Sequence, residues 1–150
     1  MTAAKRGRQR RVTVAMMRQH VEELVAKHVP WDVPVIQCKG LRDARTLWHG
    51  RELLEISLPP VKSAVSYATA LHELGHILGR YQHSPKVMTC EGWAWLWAKQ
   101  TALIWTPRMR YTSGEALMWY AAQVMRRTEQ RRQARRRLAA AGVMAKRRQR

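Results

Sequence analysis

The run His72-Glu73-Leu74-Gly75-His76 constrains this chain more than any other stretch. On an α-helix, residues i and i+4 share a face one turn apart. Two imidazoles so spaced can both reach one Zn²⁺ at about 2.0–2.1 Å. Glu73 points to an adjacent sector of that face, where it can hold a water at the metal and take its proton. The flanks are apolar, with Val65, Tyr67, Ala68, Ala70 and Leu71 before the motif and Ile77 and Leu78 after it. Such a helix is expected to be buried, and buried imidazoles without partners are costly. A metal supplies the partner; the alternative is a chance match on a core helix.

The remaining elements follow from periodicity and punctuation. Residues 1–12 read as a basic, disordered arm. A helix is predicted from about Thr13, with Val14, Met17, Val21, Leu24 and His28 at three- and four-residue steps, and Pro30 stops it. Val33–Cys38 reads as a short strand. Thr46–His49 and Glu52–Leu58 read as two strands joined at Gly50–Arg51, with Leu54, Ile56 and Leu58 alternating. The motif helix is expected from Lys62 or Ser63 to about Gly79. A further helix over about Val87–Ile104 carries Glu91, Ala94, Trp97 and Ala98 on one side, and Trp93, Trp95, Trp97 and Trp105 read as core. Thr112-Ser113-Gly114-Glu115 resembles a capping box opening a last helix, which packs through Leu117, Tyr120, Ala121 and Val124. That helix is expected to continue as a solvated basic segment as far as Gly142. The sum is an α+β fold. About three strands pack on helices that include the motif helix, in one domain over 13–125 with a basic C-terminal helix or tail over 126–150.

Two histidines leave a zinc ion under-coordinated, since a hydrolytic site has three protein ligands and an open position. His83 sits near the place of the third histidine in H-E-x-x-H-x-x-G-x-x-H, but it falls one residue late, with Gln82 at that position. Glu91 opens the next helix, and Ala94 and Ala98 recur on its face, small enough to let that helix approach closely. Glu91 is the favoured ligand. His83 and the softer Cys90 are the alternatives, and a helix N-terminal acid favoured by the dipole is the non-ligand reading of Glu91.

The segments Ile56-Ser-Leu-Pro-Pro, Tyr67-Ala-Thr-Ala-Leu-His-Glu-Leu-Gly-His and Glu91-x-x-Ala94-x-x-x-Ala98 resemble a known family. They look like the gluzincin-type, zincin-like metallopeptidases of bacterial mobile elements and phages, which include the ImmA/IrrE group and the peptidase domain of ArdC-type antirestriction proteins. The resemblance covers about residues 52–107. It implies a small zincin-like domain in which His72, His76 and Glu91 bind Zn²⁺ and Glu73 is catalytic. A protein or peptide is then the substrate.

Charge adds a second theme. The formal net charge of +18 lies at the ends: residues 1–18 carry six Lys or Arg and no acid, and residues 126–150 carry eleven with only Glu129. Such ends attract polyanions, so non-specific nucleic-acid binding through the tails is expected. Cys38 and Cys90 make no disulfide framework, and the longest stretches free of Asp, Glu, Lys and Arg are ten residues. A cytoplasmic protein without a membrane span is therefore expected. Three functions compete: a zinc endopeptidase, a nucleic-acid-binding accessory protein whose zinc is structural or lost, and a non-catalytic interaction protein on a degenerate scaffold.

Overall fold

A computed structural model describes residues 11–148, with side chains as far as 141. The basic arm expected over 1–12 lies almost entirely outside them. The described elements are α1 (Val14–His28), β1 (Val35–Gln37), β2 (Arg45–His49), β3 (Glu52–Leu58), α2 (Ala64–Leu78), α3 (Val87–Thr101) and α4 (Pro107–Arg148). A single 3-10 turn, Leu41–Asp43, precedes β2. The coarse α+β expectation agrees with this arrangement. No described helix is long and apolar enough to cross a membrane.

The sheet is mixed, in the order β1-β3-β2. β3 pairs parallel with β1 (Val35 opposite Ile56) and antiparallel with β2 (Thr46 opposite Ile56). The β2–β3 hairpin turns on Gly50, whose φ of 60° suits the first position of a two-residue hairpin loop. A register shift at Leu47/Trp48 adds local twist to β2. Only the last three residues of β3, Ile56–Leu58, are covered on both faces, so Leu54 is exposed rather than half-buried as its alternation predicts. β1 is shorter than the predicted Val33–Cys38 and has no buried residue.

α2 forms the centre of the core. Tyr67, Leu71 and Leu74 are fully buried against Ile56 and Leu58 of β3, Met17 and Val21 of α1, Trp95 and Ala98 of α3 and Met109 of α4. Reciprocal hydrogen bonds between Ser63 and Ser66 cap its N-terminus, Ser66 N donating to Ser63 Oγ (3.2 Å) and Ser63 N to Ser66 Oγ (3.0 Å). The Tyr67 hydroxyl accepts from Leu103 N (3.0 Å) and lies 2.6 Å from His20 Nδ1, which ties α1, α2 and the end of α3 together.

Two helix predictions need correction. On α3 the buried stripe is Glu91, Ala94, Trp95 and Ala98, at steps of three and four; Trp97 is only partly buried, and the helix ends at Thr101 rather than Ile104. α4 begins at Pro107, not after Thr112. Thr106 Oγ1 accepts from Met109 N (3.3 Å), and proline is pre-set for the first helical position, where it needs no N–H partner. Thr112 instead sits inside the helix with its hydroxyl donating to Arg108 O (3.0 Å). The fully buried Met109 anchors this earlier turn. Beyond it Ala116 and Leu117 pack on the core, Val124 is exposed, and the helix continues past Gly142 to Arg148.

Candidate metal centre

His72 and His76 lie one turn apart on α2, and their Nε2 atoms are 3.2 Å from each other. Glu91 meets both from α3. Its Oε2 is 3.2 Å from His72 Nε2 and its Oε1 is 3.4 Å from His76 Nε2. Donor atoms about 2.05 Å from a tetrahedral ion stand about 3.3 Å apart, and each imidazole lies at about that distance from the other ring and from one oxygen of the Glu91 carboxylate. Two histidines from α2 and an acid from α3 are thus gathered closely enough to hold one metal ion. They are the one group of three or more His, Cys, Asp or Glu among the described residues whose donor atoms converge within 4.8 Å.

Gln82 sets the chemical state of His76. The Gln82 Nε2 donates to the carbonyls of Arg80 and Cys90, both at 3.0 Å, which fixes the direction of the amide. Its Oε1 therefore faces His76 Nδ1, at 2.8 Å, and a carbonyl oxygen can only accept. Nδ1 carries the proton, and Nε2 offers its lone pair to the shared focus with Glu91 and His72. Tyr81, at φ 58°, turns the loop in the left-handed region just before Gln82. His72 is held differently. Its ring stacks on Trp95 (centroids 4.1 Å apart, planes at 18°), and its buried Nδ1 has no protein partner.

Charge in the pocket follows from burial and mutual attraction. Burial opposes ionisation of Glu91, but the two imidazoles outweigh it and hold the carboxyl down at about 2. Burial opposes protonation of His76, yet the Glu91 carboxylate outweighs it and raises the imidazole above its usual value. Glu73, also buried, is raised. Its desolvation exceeds the pull of the histidines and of Thr46, whose Oγ1 lies 3.0 Å from both the Glu73 carboxylate and its backbone carbonyl. One hydroxyl hydrogen serves these two acceptors. A raised carboxylate beside an oriented donor is suited to accept and return a proton.

The structure brings together His72, His76, Glu73 and Glu91, and leaves the other candidates elsewhere. His83 packs edge-on against Trp48, with centroids 5.1 Å apart, and is not in the cluster. Cys90 Sγ donates into the loop, to the carbonyls of Tyr81, Gln82 and Ser84 at 3.3–3.5 Å. The sequence places Thr46 in a strand, Gln82 in a loop and Trp95 in a core helix without marking any of them as part of the site. For Gln82 a signal exists: it occupies the G-x-x-H position at which His83 arrives one residue late. Tyr111 is exposed and donates to Glu115 (2.6 Å). Tyr120 is half-buried, and burial together with the charges of Glu91 and Glu73 pushes it up to about 12. Comparison with protein-family models, with curated proteins and with solved structures finds no match to this chain.

Proposed function

We propose that this protein is a zinc-dependent metallopeptidase, with His72, His76 and Glu91 as the metal ligands and Glu73 as general base. The observation that carries the reading is the convergence of three side chains: the two Nε2 atoms lie 3.2 Å apart, and each is 3.2–3.4 Å from one oxygen of the Glu91 carboxylate, beside the buried acid Glu73. It agrees with the resemblance of residues 52–107 to zincin-like peptidases. Three protein donors, with no fourth His, Cys, Asp or Glu among the described residues, fit a hydrolytic site better than a closed structural one. Bound there, zinc would supply Lewis acidity that polarises a peptide carbonyl and acidifies a water.

The chain's own residues do the rest. Glu73 takes the proton of the attacking water and passes it to the leaving amine. Thr46 holds the Glu73 carboxylate in place. β2 is an outer strand of the sheet and carries Thr46, so its free edge is the natural rail for an extended substrate backbone.

Three samples test this reading: wild type, Glu73→Gln and His72→Ala, each titrated with zinc and assayed on a mixture of unfolded peptides. Zinc at one equivalent in wild type and Glu73→Gln, with cleavage by wild type alone, is the expected result. Cleavage retained by Glu73→Gln would reject it.

A further inference from the structure

Among the described residues, 124–141 of α4 take no part in the core or the metal centre. Every described residue from Val124 to Ala141 is exposed, although the helix is continuous from Pro107. Between 126 and 137 the only acid is Glu129, set against Arg126, Arg127, Arg131, Arg132, Arg135, Arg136 and Arg137. None of these arginines forms an ion pair among the described residues, and Glu129 accepts a hydrogen bond from Gln133 (3.1 Å) instead.

A helix that is polar on every side, with few stabilising pairs, needs something else to hold it. Here the local charges work against it. Arg127/Arg131, Arg131/Arg135 and Arg132/Arg136 are like-charge pairs at i,i+4, each destabilising by itself. A dense array of anions reverses that sign. At about 1.5 Å per residue, seven cations spread over twelve residues lie about 2.6 Å apart along the axis. The charge spacing of a DNA duplex is similar, at about 1.7 Å.

The distribution of charge selects among polyanions. Successive residues turn by about 100°, so the seven arginines surround the helix rather than line one side. A helix lying on a membrane needs an apolar face to insert, and between 126 and 137 the only aliphatic side chain is Ala134. Single-stranded nucleic acid is held by stacking on aromatic rings, and 126–141 has none. The major groove of A-form RNA is too narrow for side chains to read. The major groove of B-DNA is about 12 Å wide, admits a helix, and flanks it with phosphates on both sides. That is the environment in which charge all round a helix is used.

We infer that residues 126–137 of α4 form a duplex-DNA-binding rod that lies in the major groove and is held chiefly by phosphate contacts. This surface is independent of the hydrolytic reading and would stand if that reading failed.

The test measures binding of the full-length protein to a labelled mixed-sequence DNA duplex by fluorescence anisotropy, from 50 to 200 mM NaCl. The comparison variant replaces Arg127, Arg131, Arg132, Arg135 and Arg136 by Gln, a residue of similar helix propensity. The basic residues at 1–18 remain in that variant as an internal control. Wild type should show a slope of log K against log salt of about −4 to −6. The variant should bind at least 100-fold more weakly at 100 mM salt, with the slope reduced by about four. Circular dichroism should show wild type gaining helix on adding duplex at low salt. Equal duplex affinity of variant and wild type would overturn the inference. So would binding of single-stranded DNA, duplex RNA or phosphatidylserine vesicles as tightly as duplex DNA.

Discussion

Gly75 and Ala94 are in backbone contact where α2 crosses α3. A Cβ on Gly75 would lie 2.4 Å from the Ala94 carbonyl oxygen and 2.9 Å from its Cα. The obstacle is backbone, so no side-chain rotation relieves it. This crossing holds Glu91, one turn before Ala94, against His72 and His76. Gly75→Ala must push the helices apart. Overpacking of this kind costs about 1–3 kcal/mol, and a gain in helix propensity of up to about 1 kcal/mol offsets part of it. Denaturant melts of chelated protein should show the net loss. Competition titration should show zinc affinity falling at least tenfold, because the third donor moves. Unchanged affinity would mean that Glu91 does not depend on this contact.

Gln82 should matter to the metal without touching it. Gln82→Leu removes the acceptor that keeps the proton on His76 Nδ1. Loss of such an outer partner typically costs about 10–100-fold in metal affinity. Gln82→Glu retains an acceptor for His76 but loses the two N–H bonds to the carbonyls of Arg80 and Cys90, so it should recover only part of that affinity, whereas a residue serving only the loop would give no recovery. Zinc competition assays on both proteins decide the matter.

Thr46 acts on the base. Thr46→Val keeps the volume and removes the hydroxyl that reaches the Glu73 carboxylate. That hydrogen bond lowers the pKa of a group that burial has raised. Its loss should therefore move the acid limb of the kcat/KM profile to higher pH, while zinc content stays at wild-type level. A profile that superimposes on wild type would remove Thr46 from the proton-transfer machinery.

The pH dependence of the metal-free protein reports the Glu91–histidine cluster. Despite burial, the imidazoles hold Glu91 at about 2 rather than 4.5, so its contribution to stability is complete above pH 4.5 and is lost as pH falls towards 2. Despite burial, Glu91 raises His76 above 6.5, so that contribution is complete below pH 6.5 and is lost as pH climbs through the higher folded value. Measured against Glu91→Gln, chelated wild type should be most favoured between about pH 4.5 and 6.5, with the advantage shrinking on both sides. Thermal melts of the two proteins across pH 3–9 should trace this bell, and a flat difference would contradict it.

Much of the candidate site is legible along the chain because it rests on local geometry. A helical period of about 3.6 puts His72 and His76 on one face whatever surrounds them, and Ser63, Gly50 and Pro30 mark where elements begin, turn and stop. Periodicity is silent on how one element meets another. Trp95 and Trp97 look equally suited to burial until α3 is laid on α2. Thr106-Pro107 and Thr112-x-x-Glu115 are both plausible helix starts, and the choice follows from the burial of Met109.

By itself the sequence determined the histidine pair one helical turn apart, the acid beside it, the order of strands and helices, and the concentration of positive charge at the two ends. Only the tertiary structure decided what meets them. Close backbone contact at Gly75 and Ala94 brings Glu91 rather than His83 to the histidines, the hairpin carries Thr46 to Glu73, and the turn at Tyr81 points Gln82 back at His76. The physical reason is one of range. Side-chain direction within a helix or strand is set by dihedral angles a few residues long, whereas distances between elements are set by packing over the whole core.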